Sequence, residues 1–179
     1  MYVRRIESIA PERWRNGGGV TREIASDGQR WRASIAEVER DGPYSRFEGL
    51  TRISYVLRGA GVVLRNHDAK LTLAPFQAVE YEGGRLWQAS LIDGPMSVLN
   101  VMYISDEYSV HVQALTSDIV VLPGCGALVV ALDTACHCDE AGVVAAGNAL
   151  VIDHVRRPLQ LSPMSHSNVP PALVTIEPI

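Results

Sequence analysis

The sequence lacks three features that would assign its class directly: an excess of basic charge, a long apolar run and a regular set of cysteines. Its 16 basic residues against 20 acidic ones give a net charge of −4, which provides no field to attract nucleic acid. No stretch approaches the roughly 18 uninterrupted apolar residues of a membrane helix, and no apolar run follows the N-terminal arginines as in a secretory signal. The three cysteines show no framework spacing, as is usual where thiols stay reduced. We therefore expect a cytoplasmic protein whose partners include neither nucleic acid nor membrane.

Long helical periodicity is also missing, and short runs that alternate apolar and polar residues recur between Gly, Pro, Asp and Asn clusters. A first series of predicted strands covers residues 31–38, 52–57, 61–65, 70–73, 77–81, 87–91 and 96–104. A second series covers residues 109–114, 118–122, 127–132, 143–145, 149–153, 159–161 and 172–177. Two such series in tandem predict an all-β chain of two barrels, residues 1–104 and 105–179, although no repeat between the halves is visible.

Residues 14–24, with the sequence WRNGGGVTREI, place three consecutive glycines between an indole and an Arg-Glu pair. Glycines serve where the backbone needs a positive φ or where another group approaches within the space of a Cβ. Trp14, Asn16 and Arg22 flank them and can stack or hydrogen bond. Two interpretations stay open: a flexible surface loop, or an ordered loop folded over a pocket.

Residues 41–57 have the spacing of the first cupin motif, in which two histidines and a glutamate ligate a metal. In this sequence Ser45 and Phe47 stand at the histidine positions and Arg52 at the glutamate position. The second cupin motif, laid over residues 93–100, puts Met96 at the position of the last ligand. The resemblance implies a cupin barrel whose metal ligands have been replaced.

The side chains at the four ligand positions are Ser45, Phe47, Arg52 and Met96. They cannot hold a hard or borderline divalent cation, so we expect no metal and no other cofactor. Cys136 and Cys138 flank a histidine, but neighbours in a strand point to opposite faces and no second ligand pair follows. A buried guanidinium at position 52 requires an anion beside it. That anion is a ligand carboxylate or, alternatively, an internal glutamate, for which Glu23, Glu37 and Glu80 are the candidates.

Strand alternation indicates which side chains share a pocket with Arg52, because residues two apart face the same side. If Arg52 faces inward, Ser54 does too; on the later strand Asn100 shares a face with Met96, which places it within reach. For residues 31–38 we prefer the register that points Arg32 and Ser34 inward.

Five motifs together resemble the HutD/Ves family; they lie at residues 14–24, 31–36, 41–52, 57–61 and 93–102. The similarity is dense over residues 1–104 and thin afterwards. It implies a double cupin with a non-catalytic role in regulating histidine utilisation, exercised by sensing urocanate or a formylated or formimino-glutamate. All of these ligands carry carboxylates, in agreement with the need of Arg52 for an anion.

The leading hypothesis is therefore a protein that binds a small-molecule carboxylate. The alternatives are a metal-independent isomerase or hydrolase acting on a polar metabolite, and a structural or interaction module. An enzyme would need a general base, and a carboxylate beside Arg52 would have its charged form favoured and accept protons poorly. A homodimer stays open as the assembly. The predicted ligand-binding residues are Trp14, Asn16, Gly17, Gly18, Gly19, Arg22, Ser45, Phe47, Arg52, Glu80 and Asn100.

Overall fold

Strands make up almost all of the regular structure, as the alternating pattern predicts. The computed structural model describes all 179 residues and divides them into two units. The first unit is Ala10–Ser105, and the second unit combines Met1–Ile9 with Asp106–Ile179. The chain has no helix with the length and apolarity that a membrane crossing requires.

The division of the chain differs from the expected one at the N-terminus. The first strand, β1 (Tyr2–Arg5), is followed by a single 3₁₀ turn at Ile6–Ser8. In the structure β1 pairs with a strand formed by Asn148–Ile152, so the first nine residues group with the second unit. The expected boundary after residue 104 lies one residue from the division after Ser105.

The first unit consists of two antiparallel sheets that enclose an apolar cluster. Its strands are β2 (Glu12–Arg13), β3 (Gly19–Asp27), β4 (Trp31–Val38), β5 (Gly42–Pro43), β6 (Thr51–Arg58), β7 (Val62–Arg65), β8 (Lys70–Leu73), β9 (Ala78–Glu82), β10 (Gln88–Leu91) and β11 (Met96–Tyr103). The larger sheet has the order β2-β3-β4-β11-β6-β9 and the smaller one β5-β10-β7-β8. Val56 and Val98 of the larger sheet meet Leu64, Leu73 and Ala89 of the smaller one in the core.

The second unit repeats this arrangement with different strand orders. Its remaining strands are β12 (Tyr108–Ala114), β13 (Ile119–Val121), β14 (Gly126–Ala131), β15 (Cys136–Cys138), β16 (Gly142–Val144), β17 (Asn148–Ile152), β18 (Leu159–Pro163) and β19 (Ala172–Pro178). The sheets have the orders β1-β17-β14-β19-β12 and β13-β18-β15-β16. Val129 and Leu150 of one sheet pack with Leu161, Cys136 and Cys138 of the other.

The glycine segment is the main departure from the predicted strands. Only residues 14–18 form a loop, and β3 begins at Gly19, so both loop interpretations fail for the second half of residues 14–24. A register shift between Glu23 and Ala25 breaks the alternation that would otherwise indicate this strand.

Close approach of β4 explains the last of the three glycines. A Cβ on Gly19 would lie 2.2 Å from the Glu37 carbonyl oxygen, so only glycine fits there. The Gly18 carbonyl accepts a 2.9 Å hydrogen bond from the Glu39 amide, which holds the loop against β4.

Candidate ligand site

A group of polar side chains lies inside the otherwise apolar first unit. The register of the three central strands places Asn100 of β11 between Ser34 of β4 and Ser54 of β6. All three are at most 2% exposed. The adjoining row carries Arg32, Met102 and Arg52 in the same order. Arg32 and Ser34 therefore face inward, in the preferred register.

Arg52 is fixed by a hydrogen-bond network centred on one amide oxygen. Asn100 Oδ1 accepts bonds from Arg52 Nε at 3.1 Å, from Arg52 Nη2 at 2.8 Å and from Ser54 Oγ at 2.7 Å. Because the Ser54 proton points to Asn100, the 2.8 Å contact with Tyr81 is donated by the phenol. The guanidinium is thus held in one orientation, and its Nη1 takes no part in these bonds.

The charge of Arg52 meets aromatic rings and a neutral amide. Arg52 is 5% exposed, and its Cζ lies 4.9 Å from the centroid of Tyr44, 5.7 Å from that of Tyr81 and 5.9 Å from that of Phe47. Ring faces attract a cation, but they do not replace the solvation that burial of a charge removes. The site therefore favours an anion beside Arg52.

None of the three candidate glutamates supplies that anion. Glu80 Oε2 accepts a 2.7 Å bond from Tyr103, and Glu37 Oε2 a 2.8 Å bond from Ser97. Glu23 Oε2 lies 3.0 Å from Arg32 Nε. The internal ion pair with Arg52 is thus not formed.

The assignment of Glu80 to the ligand site has the wrong parity. Glu80 lies opposite Ile53, the neighbour of Arg52 in β6, so it faces the other side of the sheet. Its hydrogen bond with Tyr103 lies on that opposite side of the sheet. Burial, together with this bond to the carboxylate, raises the pKa of Tyr103 well above its ordinary value.

Arg52 lines an inner cavity, which shares six lining residues with an outer cleft. The inner cavity, of about 40 Å³, is lined by Trp14, Thr21, Arg32, Ser34, Ala36, Tyr44, Ser45, Phe47, Arg52, Asn100 and Met102. The outer cleft, of about 540 Å³, is lined by Glu12, Arg13, Trp14, Arg15, Asn16, Thr21, Arg32, Pro43, Tyr44, Ser45, Arg46 and Phe47. At about 10–15 Å³ per water the inner cavity has room for a group the size of a carboxylate, and the outer cleft for a larger body.

Tyr44 adds a hydroxyl donor that the sequence analysis did not identify. Its ring is 4% exposed, and its OH is buried without a hydrogen-bond partner. Burial raises the pKa of Tyr44 well above its ordinary value, and the Arg52 charge opposes this only in part. The phenol therefore stays protonated in the wall of the cavity. The sequence signal was its position directly before Ser45 in the DGPYS motif.

Thr21 is the second missed residue, because β3 was not recognised as a strand. Its Oγ1 accepts a 2.8 Å bond from Trp14 Nε1, which fixes the indole at the border of the inner cavity and the outer cleft. The Trp14 ring meets Tyr44 edge to face, with centroids 6.2 Å apart.

The remaining predicted residues divide between the cleft and other places. Asn16 lines the outer cleft; its Oδ1 accepts a 2.9 Å bond from the Gly18 amide. Neither space is lined by the three glycines, Gly17, Gly18 and Gly19. Their role is to allow the path of the backbone. Arg22 lies on the opposite face of β3 and lines a different cleft.

The four positions that correspond to cupin metal ligands do not all lie in the site. Ser45, Phe47 and Arg52 line the inner cavity, whereas Met96 packs in the apolar core and Met102 takes the place beside Arg52. No group of three or more His, Cys, Asp or Glu side chains is arranged to hold a metal ion.

The sequence matches known proteins over most of its length. The family model named HutD matches residues 6–162. A Pseudomonas putida protein described as an uncharacterised 21.2 kDa protein in the hutC 3′ region is 36% identical over 107 residues, 56% of each chain. Protein Ves of Escherichia fergusonii is 38% identical over 104 residues, 54% of each chain. The chain thus spans about half the length of the curated relatives that it matches.

Solved structures agree with the predicted fold. HutD from Pseudomonas fluorescens superposes with a TM-score of 0.84 at 25% identity, covering 99% of this chain and 98% of that one. A cupin 2 conserved barrel protein from Leptotrichia buccalis superposes with a TM-score of 0.62 at 13% identity, covering 99% and 96%. The second likeness shows the fold alone, and the prediction of an all-β cupin fold is confirmed.

Proposed function

The chain belongs to the HutD family, which is associated with histidine utilisation, and we propose that it binds a small carboxylate metabolite at Arg52. The observation that carries this proposal is the buried, oriented guanidinium with a neutral amide as its hydrogen-bond partner. A guanidinium in this state gains more from an arriving carboxylate than from any other common group.

The ligand enters with its carboxylate in the inner cavity. The Tyr44 hydroxyl is buried there without a hydrogen-bond partner, and the bonds from Arg52 to Asn100 use Nε and Nη2, which leaves Nη1 to donate to the ligand. The body of the ligand then occupies the outer cleft, between the rings of Trp14 and Phe47.

The ligands that we consider are urocanate and formylated or formimino-glutamate. The aromatic lining of the two spaces suits the planar conjugated chain of urocanate. Arg13 and Arg15 in the outer cleft suit the second carboxylate of a glutamate derivative. In either case the ligand is the signal by which the protein regulates histidine utilisation.

A metal-independent isomerase or hydrolase is the less supported function. Such an enzyme needs a general base within hydrogen-bond reach of the substrate. The inner cavity is lined by neither a carboxylate nor an imidazole, and Glu12, the carboxylate that lines the outer cleft, is exposed and lies 4.0 Å from Arg32. Binding without turnover therefore fits the site better.

Thermal unfolding with urocanate, formimino-glutamate, formyl-glutamate and histidine, followed by calorimetric titration, tests the proposal. We expect at least one of the three carboxylate metabolites to bind, and Arg52→Lys to weaken that binding by about 1.5–3 kcal/mol, because lysine cannot reproduce the fork of donors. Arg65→Met is the matched control: Arg65 lies in the same unit and lines neither space. Equal binding by Arg52→Met, or no binding of any of the three, would overturn the proposal.

A further inference from the structure

Thr21 and Arg22 are adjacent in β3, so their side chains lie on opposite faces of the six-stranded sheet. Thr21 faces the inner cavity, whereas Arg22 lines a separate space of about 540 Å³. We call this space the Arg22 cleft. It is lined by Val20, Arg22, Glu37, Val38, Glu39, Arg58, Pro95, Met96 and Ser97.

The floor of the Arg22 cleft is a row of cross-strand neighbours. Val20 lies opposite Glu37, Glu37 opposite Ser97, and Ser97 opposite Arg58. Arg22 is two residues beyond Val20, so it is the diagonal neighbour of Glu37. Diagonal neighbours in an antiparallel pair lie roughly 7–8 Å apart, which leaves space for a small molecule between the two side chains.

Arg22 has a group that this arrangement leaves unsatisfied. Its Nε is buried without a hydrogen-bond partner, although Glu37 and Glu39 line the same cleft. A buried donor without a partner is uncommon in folded proteins and calls for an acceptor. A bound ligand can supply the acceptor that this donor lacks within the protein.

Charges of both signs face that position. Two arginines and two glutamates line the cleft, so it carries no net charge. Glu37 is oriented by the 2.8 Å bond from Ser97 to its Oε2, and Oε1 is its second acceptor oxygen. A simple anion would be repelled by the two carboxylates, and a simple cation would be repelled by the two guanidinium groups. A zwitterion can pair with both kinds of charge.

We propose that the Arg22 cleft is a second ligand site, which binds a free α-amino acid. The carboxylate of the amino acid accepts from Arg22, including its Nε, and the ammonium group donates to Glu37 and Glu39. Val20 and Pro95 contact an uncharged side chain. This site is independent of the carboxylate site at Arg52, since the two line opposite faces of β3 and share no residue.

Titration calorimetry of the full chain with each of the common amino acids tests the proposal. We expect at least one amino acid with an uncharged side chain to bind, and its N-acetyl and carboxamide derivatives to bind about tenfold more weakly or worse, because each removes one charge. Equal binding of either derivative would contradict a zwitterion site.

Variants then place the binding in the Arg22 cleft. Arg22→Met and Glu37→Gln should each weaken binding of the amino acid by about tenfold or more, while Arg65→Met, at a residue that lines neither this cleft nor the site at Arg52, leaves it unchanged. Glu37→Gln is nearly isosteric and gives the result if Arg22→Met does not fold. Undiminished binding by Glu37→Gln, or no binding by any amino acid, would overturn this inference without affecting the site at Arg52, which is tested by Arg52→Lys.

Discussion

The interiors of the two units differ, although both are pairs of antiparallel sheets. The first unit buries five polar or charged residues: Ser34, Arg52, Ser54, Ser97 and Asn100. The second unit buries Thr134 alone, and its hydroxyl donates to the Val169 carbonyl. One fold thus encloses a polar site in one unit and a continuous apolar core in the other. The difference teaches that the fold provides the enclosure and that a few inward positions decide whether its interior is polar or apolar.

The chain carries natural reporters for each side of this comparison. Its three tryptophans, Trp14, Trp31 and Trp87, all lie in the first unit, and its three cysteines, Cys125, Cys136 and Cys138, all lie in the second. Tryptophan fluorescence therefore follows the first unit, and protection of the thiols from alkylation follows the second.

The largest effect should come from truncating the core of the second unit. Leu150 is fully buried there, and Leu150→Ala should lower the free energy of unfolding, measured in urea by thiol protection, by about 2–5 kcal/mol. Arg52→Met removes an unpaired buried charge, so it should either raise the free energy of unfolding of the first unit or lower it by less than about 1 kcal/mol. Tryptophan fluorescence measures this value. Val143→Ala, at a side chain 56% exposed, is the control. A strongly destabilised Arg52→Met would show that the arginine is structural.

Next in size is the effect of placing a carboxylate beside Arg52 within the protein. Asn100→Asp keeps the shape of the side chain and turns the hydrogen bonds with Arg52 into an ion pair. We expect the affinity for a carboxylate ligand to fall by about 1.5–3 kcal/mol or more in calorimetric titration, because the internal anion competes with the ligand. Retained affinity would mean that the ligand does not use the charge of Arg52.

The same variant has a pH signature. Arg52 would lower the pKa of the new carboxyl below its unfolded value of about 3.9. The stability gained from the ion pair is therefore present above about pH 4 and is lost as the pH falls through the lower, folded pKa. The wild-type amide has no such dependence, so the difference between the two acid titrations isolates the pair.

A smaller effect distinguishes two adjacent glycines of the first unit. Gly19→Ala should destabilise it by about 1–3 kcal/mol, since its Cβ would lie 2.2 Å from the Glu37 carbonyl oxygen. Gly18→Ala should be tolerated, because its Cβ would lie 3.2 Å from Asn16 Oδ1, an atom of a side chain that can move. Tryptophan fluorescence in urea measures both, and an equal loss from both would contradict the assigned close approach.

The smallest effect separates the units by pH. Burial raises the pKa of Cys136 from 9.0 to about 11 in the second unit, and that of Tyr55 from 10.0 to about 12 in the first. A pKa that is higher in the folded than in the unfolded state means that folding favours the neutral group. The resulting contribution to stability is fully present below the unfolded pKa and is lost as the pH rises through the folded pKa. The second unit should therefore lose stability from about pH 9, and the first from about pH 10.

Alkaline titration with both reporters checks this order. Thiol alkylation, normalised to the urea-unfolded chain at each pH, should rise before the tryptophan fluorescence changes. The reverse order would show that other groups control the alkaline limit of the second unit.

The sequence predicted those parts of the structure in which alternation was uninterrupted. Strand Trp31–Val38 was predicted to the residue, and the inward placement of Ser54 and Asn100 followed from parity on recognised strands. Arg22 was assigned to the site at Arg52 because β3, with its glycine start and register shift, was not recognised and gave no parity. Tyr44 was missed for a related reason: it lies in a loop, where no periodicity tells which way a side chain points.

The pairing of β1 with β17 has a consequence for the order in which the chain can fold as it is synthesised. Residues 2–5 are synthesised before the first unit, whereas their partners at residues 148–151 are synthesised after it. At about 5–20 residues per second the leading strand waits roughly 7–30 s for its partner. All of Ala10–Ser105 is made within that interval and can close first. The nascent chain can therefore complete the first unit before β1 pairs within the second.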